Sequence, residues 1–426
     1  MVSQIGWIDF SPRHRDRVRK FMDLMGMGGV VDELGVGVIR DAMSNKVFPG
    51  FSTLYTRAKY FFITPYILED CNNITKKDKD YFKKAERESN EIIIRFYKEH
   101  PERGGESYFG KVKQDGMLKR QPSEIYWNGM TQLHLIKTES TLDQMLLNKR
   151  STVEELLSNN RGDDTAKEQG EHKSLDYDGV SYTPDWREYI QNNGLSLSRI
   201  EAEILRDRLL KYTPNSLPAA LVSSESLWEK YISASEEFDS KDPLSNQFLY
   251  FIRTGLSQIN NKSLKDNLIM SHDLSLFLYG IHIAYNLWLR IKNEAIDEDI
   301  ESLRERGRFW HSRLYSQMLD SEKFDIRKCM DGANVKAPTE KFLKEVQTLL
   351  HFSDSWDEIE VTLCNLVETQ ERWNKKAKSR FLKIDKGQVI DGIKDKQWIG
   401  LGLINYRYTS TLSVMRDLYV GLTNID

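Results

Sequence analysis

The sequence predicts a mainly α-helical protein of two lobes with at most one small β-hairpin. Only 10 prolines occur in 426 residues, and proline is the residue that interrupts helices most strongly. Long segments repeat apolar residues three and four positions apart, which is the spacing of one buried helix face. Because a single core rarely grows beyond roughly 250–300 residues, a chain of this length is expected to form more than one lobe.

The predicted helices share this apolar spacing. In chain order they are Arg13 to Leu24, Val38 to Val47, Thr53 to Leu68, Lys76 to Glu99, Ser123 to Ile136, Thr152 to Leu157, Ser198 to Leu210, Asp273 to Ile291, Thr339 to His351 and Tyr406 to Leu422. Ser198 followed three residues later by Glu201 predicts a capping box, and Asp185 is expected to cap the helix that follows it.

Strand signals are few. Residues 109–112 and 117–120 flank the dipeptide Asp115-Gly116, which favours a tight hairpin turn, and a weaker strand signal covers residues 180–183. Residues 159–178 are polar and almost free of large apolar side chains, which is typical of a linker. We therefore expect an N-terminal helical domain at 1–158, a linker at 159–178 and a C-terminal helical domain at 179–426.

Composition narrows the classes of function. The formal net charge of -3 gives no overall basic field, so any nucleic-acid interface must be a local patch. Cys71, Cys329 and Cys364 lie far apart, which argues against a disulfide framework or zinc site and favours a reducing cytoplasm. The N-terminus does not resemble a signal peptide, and the most apolar window, 274–289, is shorter than the ~20 residues of a spanning helix. We expect a cytoplasmic protein without a membrane segment.

A catalytic or metal site has weak support. The glycines between residues 26 and 37 match neither the spacing of a dinucleotide-binding motif nor that of a phosphate-binding loop. No cofactor is expected, and no metal site is assigned. The one catalytic alternative is a carboxylate cluster that holds a divalent cation. Its members would be Asp9, Asp32, Glu33 and Asp41. The opposing interpretation is that these acids pair with Arg40, Arg57 and Lys59, because buried charges are normally paired.

Two local patches suggest nucleic-acid binding. Residues 38–47, the turn Phe48-Pro49-Gly50 and residues 52–60 are expected to form a helix-turn-helix-like unit, whose second helix would expose cations beside tyrosines. The second patch is the hairpin, which leads into a helix with Tyr126 and Trp127. The predicted backbone-contacting residues of the two patches are Arg57, Lys59, Lys111, Lys113, Lys119 and Arg120. The alternative is that these are ordinary solvated charges.

Several motifs resemble a known family. They are Ile5-Gly-Trp-Ile-Asp-Phe-Ser-Pro12, Val31-Asp-Glu-Leu-Gly-Val-Gly-Val-Ile-Arg-Asp41, Phe48-Pro-Gly50 with Ser52-Thr53, Thr56-Arg-Ala-Lys-Tyr-Phe61, Pro122-Ser-Glu-Ile-Tyr-Trp127, Glu203-Ile-Leu-Arg-Asp207 and Asn405-Tyr-Arg407. The chain is similar in these motifs, and over nearly its whole length, to the bacterial domain-of-unknown-function family 6361. Asn405 departs from the pattern, which would have an acid before Tyr-Arg.

The family has no assigned activity, so no catalytic role is carried over. The resemblance implies a setting in bacterial anti-phage defence, beside helicase-like and phospholipase-D-like nuclease subunits. We therefore expect a non-enzymatic nucleic-acid-associated or scaffold subunit. The alternatives are a metal-dependent nuclease or phosphoesterase that uses the carboxylate cluster, and a pure protein-interaction module. Burial and pairing of Arg40, Arg57 and Lys59 would identify a structural core, whereas outward projection would identify a binding face.

Overall fold

The computed structural model describes residues 32–73, 79–103, 120–138, 141–144, 146, 185–388, 390 and 397–423. Over these residues the chain is helical and contains no strand, which confirms the mainly α-helical prediction. No helix in the same ranges is long and apolar enough to cross a bilayer. The predicted helices at 13–24 and 152–157, the strands at 109–112 and 180–183, the Asp115-Gly116 turn and the linker at 159–178 lie outside the described residues.

The α-helices of the described residues are numbered here in chain order. They are α1 (Gly37–Val47), α2 (Tyr60–Asn73), α3 (Lys79–Glu99), α4 (Pro122–Gln132), α5 (Trp186–Asn193), α6 (Arg199–Tyr212), α7 (Leu217–Ser223), α8 (Glu225–Glu237), α9 (Gln247–Gly255), α10 (Lys262–Lys292), α11 (Asp297–Gln317), α12 (Ile326–Met330), α13 (Ala337–His351), α14 (Trp356–Lys375), α15 (Arg380–Asp385) and α16 (Tyr408–Thr423). Short 3-10 helices cover Pro101–Arg103, Leu256–Gln258 and Lys376–Lys378.

Two predicted helix starts are confirmed in atomic detail. Ser198 Oγ accepts the backbone N–H of Glu201 at 3.3 Å, and Glu201 Oε2 accepts the backbone N–H of Ser198 at 2.8 Å. This reciprocal pair is the predicted capping box of α6. Asp185 caps α5 by accepting two backbone N–H groups of the first turn. Short-range hydrogen bonds of this kind are encoded locally, so the sequence predicts them well.

The predicted helix over residues 52–60 is wrong. These residues form turns, and α2 begins only at Tyr60. Ser52 Oγ accepts the backbone N–H of residue 54 at 3.2 Å, the Tyr126 hydroxyl accepts those of residues 56 and 57, and Asp417 accepts that of residue 58 at 2.8 Å. Side chains distant in sequence therefore satisfy amides that a helix would have bonded internally. The second helix of the expected helix-turn-helix-like unit is absent from these residues.

The chain divides into two compact units. Unit 1 comprises Met1–Ala42, Asp242–Leu244 and Ile269–Ile404, and unit 2 comprises Met43–Lys241, Ser245–Leu268 and Asn405–Asp426. Both units are discontinuous in sequence. The predicted boundary at 159–178 lies outside the described residues and stays a prediction.

In unit 1, two tryptophan rings pack directly against glycines of neighbouring helices. A Cβ at Gly280 of α10 would lie 2.0 Å from the Trp310 ring, and a Cβ at Gly307 of α11 would lie 2.3 Å from the Trp356 ring. The two indoles meet edge to face with centroids 6.0 Å apart. Because both glycines lack a side chain, α10, α11 and α14 pack closely around the rings.

Unit 2 has an aromatic core. The Tyr55 and Tyr126 rings stack with centroids 4.1 Å apart, and the Trp228 and Tyr419 rings stack at 4.5 Å. The Tyr231 hydroxyl donates to the backbone carbonyl of Tyr408 at 3.0 Å. Stacked and hydrogen-bonded rings of this kind contribute beyond their buried area. They join α4 to the turn before α2, and α8 to α16.

Candidate nucleic-acid interface

Arg57 is internal to unit 2. Its Nε lies 2.9 and 3.0 Å from the two carboxylate oxygens of Asp417, and its Nη1 donates to the Tyr97 hydroxyl at 3.1 Å. Only 15% of its side chain is exposed. Because Nε and Nη1 donate inside the fold and the charge is neutralised by Asp417, this geometry favours a structural role for Arg57 over a phosphate contact.

Lys59 is buried more deeply. Its side chain is 1% exposed, and its Nζ lies 2.5 Å from Glu201 Oε1 and 3.6 Å from the centroid of the Tyr189 ring. The Tyr66 hydroxyl donates to the same carboxylate oxygen at 2.7 Å. Burial lowers the pKa of Lys59 to about 8, although Glu201 opposes the shift. Lys59 therefore belongs to the core of unit 2.

The carboxylates of the catalytic alternative have separate partners. Asp32 accepts backbone N–H groups at the start of α1, and burial raises its pKa. Asp41 is exposed and pairs with the adjacent Arg40 at 2.8 Å. Glu33 pairs with two cations described below, and Asp9 lies outside the described residues. Within the ranges that the structure describes, no three acidic, histidine or cysteine side chains group as metal ligands.

The hairpin patch stays a prediction. Lys111, Lys113 and Lys119 lie outside the described residues, and Arg120 is partly exposed just before α4. Among the residues that the structure describes, no two of the predicted nucleic-acid-binding residues therefore lie together on the surface.

A buried charge cluster in unit 1 connects residues 32–35 to the end of α14. Glu33 is almost fully buried, its Oε2 lies 3.0 Å from Lys375 Nζ, and its Oε1 pairs with Arg380. A second buried carboxylate, Glu371, accepts the Ser379 hydroxyl and, at 2.7 Å, the backbone N–H of Arg380. Two inward-facing cations of this region are thus neutralised inside the fold.

Polar contacts fix the backbone of the same segment. The Gln370 side-chain amide donates to the carbonyl of Leu34 at 2.6 Å, and that of Asn374 donates to the carbonyls of residues 32 and 33 at 2.9 and 3.0 Å. Gly35 has φ +77, and a Cβ there would lie 3.0 Å from Thr339 Oγ1. Glycine is therefore required at this position both for its backbone conformation and for the close approach.

Exposed lysines cover the outside of this cluster. They project from the flank of α13, from the 3-10 helix after α14, and from α15 and the residue after it. We define the Lys376 surface as Lys336, Lys376, Lys378, Lys383 and Lys386 together with Trp373. Lys336 Nζ lies 5.7 Å from the centroid of the Trp373 ring. No carboxylate of the described chain lies within ion-pair distance of these five lysines, and Asp385 beside them is paired with Arg372 at 2.5 Å.

Lys376 has an unusual backbone. It ends α14 with φ 52 and ψ -126, a region that glycine occupies readily and that strains an L-residue with a side chain. Such strain persists only where the surrounding structure imposes it, and it is concentrated at functional positions. A lysine held in this conformation among exposed lysines favours a role for the Lys376 surface in binding.

Comparison with known proteins identifies the opening part of the chain. Residues 2–157 match the model of a family of unknown function (DUF6361). The expected resemblance is confirmed over these residues, and the match ends before the later motifs at 203–207 and 405–407. No curated protein and no solved structure matches the chain.

The DUF6361 segment supplies the acid beneath the Lys376 surface. Glu33 belongs to this segment, whereas Lys375, Arg380 and the exposed lysines follow it in sequence. The sequence did carry a signal for the surface, because residues 372–386 contain seven cations and only one acid. A search for local charge over the whole chain, and not only in the opening motifs, would have found it.

Proposed function

We propose that this protein is a non-enzymatic nucleic-acid-associated subunit whose Lys376 surface binds the phosphate backbone. The proposal rests on one observation: the cations of residues 372–386 form two groups, one paired with acids inside the fold and one exposed to solvent. Arg372, Lys375 and Arg380 are neutralised by acids, whereas the lysines of the surface point to solvent without such partners. Lysines of this kind release counterions when they meet phosphates, which is the main source of sequence-independent affinity.

The lysines of this surface suit contacts that position the protein on a nucleic acid, rather than contacts that read the base sequence. Flexible ammonium groups contact phosphates as point charges, and they carry no information about the bases. Trp373 adds an aromatic face next to Lys336, which suits stacking against a sugar or an exposed base. The setting in a bacterial anti-phage defence complex with helicase-like or nuclease-like subunits remains part of this proposal and rests on the family resemblance.

The test is a salt-dependent binding measurement. Fluorescence anisotropy of labelled single-stranded and duplex DNA is measured with the full chain over a range of salt concentrations. Each phosphate contact contributes about -0.9 to the slope of log K against log salt on duplex DNA. The triple variant Lys378→Glu, Lys383→Glu, Lys386→Glu should bind about tenfold or more weakly and should flatten the slope by about 2 to 3.

A matched control reverses three exposed lysines elsewhere. Lys98, Lys241 and Lys262 are exposed in α3, in the chain before α9 and at the start of α10. Their reversal to Glu changes the net charge by the same amount, so it separates the surface from the overall charge. Equal losses in both triples, or binding that does not respond to salt, would contradict the proposal.

The two alternatives have different support. A metal-dependent nuclease or phosphoesterase gains nothing from the described residues, since Asp32, Glu33 and Asp41 each bind a different group. A protein-interaction role is favoured by a separate feature, an open groove in unit 1 whose lining includes Leu314, Met318 and Phe352. Such a role is compatible with nucleic-acid association.

A further inference from the structure

Trp373 differs from the other tryptophans that the structure describes in unit 1. Those are Trp288, Trp310, Trp356 and Trp398, and each donates its indole N–H to an oxygen of the same unit at 2.5–3.1 Å. Trp373 Nε1 has no acceptor among the described residues, and it reaches solvent. The ring is partly exposed in the last turn of α14. Trp373 therefore keeps both a donor and an aromatic surface that a ligand can use.

The fold holds the backbone of Trp373 from both sides. Arg372 pairs with Glu368 at 2.7 Å and with Asp385 at 2.5 Å. The Asn374 side-chain amide donates to two backbone carbonyls of the DUF6361 segment at 2.9 and 3.0 Å. Because both chain neighbours of Trp373 are tied to the fold, its position is set before a ligand arrives. A preformed contact of this kind lowers the entropic cost of binding.

The positive charge beside Trp373 is not offset by the nearby acids. Lys336 Nζ lies 5.7 Å from the centroid of the ring, which is within the range of a cation–π contact. The first acid of α13, Glu340, is paired with Lys344 at 2.5 Å, and Asp385 is already neutralised as described above. A nucleotide carries the two complementary groups, a flat base for the ring and a phosphate for the ammonium group.

We propose that the Lys376 surface takes single-stranded nucleic acid, with one unpaired base stacked on Trp373 and the adjacent phosphates at the lysines. This inference rests on the proposed function and names its substrate class. In a duplex the base faces are covered by their neighbours, so the ring could reach one only by unstacking a base step. In a single strand the faces are open. Every base has such a face, so the preference is for the unpaired state and not for a sequence.

The test compares three labelled probes by fluorescence anisotropy with the full chain. They are a mixed-sequence DNA strand of about 12 nucleotides, its duplex, and an abasic strand with the same number of phosphates. The abasic strand offers the lysines the same charge but gives Trp373 no base. The wild-type protein should therefore bind the intact strand roughly tenfold more tightly than the abasic strand. It should also bind the intact strand more tightly than the duplex.

Substitutions of Trp373 assign the effect to the ring. Trp373→Ala should bind the intact strand roughly tenfold more weakly and should bind the abasic strand and the duplex as the wild type does. Its slope of log K against log salt should not change, because stacking releases no counterions. Trp373→Phe keeps a ring face and should retain most of the affinity. The control is Phe352→Ala, which removes an aromatic residue that is 79% exposed at the other end of α13 and should leave all three affinities unchanged.

Failure of this inference and failure of the proposed function give different results. If none of the probes binds, or if reversal of the three lysines does not weaken binding, both proposals are overturned. If the lysines carry salt-dependent binding but the abasic strand or the duplex binds as tightly as the intact strand, only the stacking inference is overturned. The same holds if Trp373→Ala weakens all three probes alike. Should Trp373→Ala fail to fold, the comparison of the intact and abasic strands on the wild-type protein decides the question.

Discussion

Glu33 and Lys375 form an ion pair inside unit 1, with Glu33 Oε2 3.0 Å from Lys375 Nζ. Glu33 is buried, and Lys375 has 8% of its side chain exposed. The oxygen lacks a well-aligned hydrogen bond, so the attraction between the two groups is mainly Coulombic. The pair connects the DUF6361 segment to the helix end that carries the Lys376 surface.

Glu33→Gln should destabilise the protein. The substitution leaves Lys375 and Arg380 without their shared counter-charge, and an unneutralised buried charge costs about 3 kcal/mol of unfolding free energy. Urea unfolding followed by circular dichroism measures the change. Asp41→Asn is the matched control, because its exposed pair with Arg40 contributes less than about 1 kcal/mol. Equal stability of the two variants would mean that the Glu33 pair is not structural.

The substitution Lys376→Gly should change the stability of the protein and its DNA affinity in opposite directions. Glycine adopts φ 52 without strain, so the variant is expected to gain about 1 kcal/mol in unfolding free energy while it loses affinity for DNA. Glu294→Gly is the control, since Glu294 also has a positive φ of 51 and lies outside the Lys376 surface. It should raise stability without a change in DNA affinity. A Lys376→Gly variant that binds as tightly as the wild type would remove Lys376 from the proposed interface.

The Lys59–Glu201 pair predicts a pH dependence. Burial lowers the folded-state pKa of Lys59 from 10.5 to about 8, so between these values the unfolded chain binds more protons than the folded one. The contribution of this group to the unfolding free energy therefore rises as the pH increases from about 8 to about 10.5. The contribution is largest above the unfolded pKa and is lost as the pH falls through about 8. Urea unfolding across this window measures it.

Substitutions of the pair check the assignment. Lys59→Met should cost about 1–3 kcal/mol near pH 7, because it removes the hydrogen bond from Nζ to the buried Glu201 carboxylate, which a deprotonated lysine would still donate. Lys59→Met with Glu201→Gln should recover part of this loss, since the neutral amide can still accept from Tyr66. Both variants should lack the rise in stability between pH 8 and 10.5 that is assigned to Lys59. If the rise persists in both, another group causes it.

Residues 1–158 alone should not form a cooperatively folded domain. Within unit 1, Glu33 would lose Lys375 and Arg380, and within unit 2, Arg57 and Lys59 would lose Asp417 and Glu201. Each orphaned buried charge is strongly destabilising. Near-ultraviolet circular dichroism and thermal unfolding of the fragment, beside the full chain, measure this. A sharp thermal transition in the fragment would contradict the prediction.

Local sequence patterns predicted the helices well where the signals lie within a few residues. The capping box at Ser198 and the cap at Asp185 were both predicted correctly, because each hydrogen bond joins residues two or three positions apart. The segment 52–60 was predicted wrongly, because its amides bind Tyr126 and Asp417, which no local pattern reveals. The Lys376 surface was missed even though its charge run is visible in the sequence.

By itself, the sequence determined that the chain is mainly helical, where several of those helices begin, and which family its opening segment resembles. It also showed that the charges between residues 5 and 70 need partners. Only the tertiary structure decided which partners those are, because Asp417, Glu201, Lys375 and Arg380 come from distant parts of the chain and are brought close by packing. The same packing separates the cations that are neutralised inside the units, and hold the fold, from the exposed lysines on which the proposed function rests.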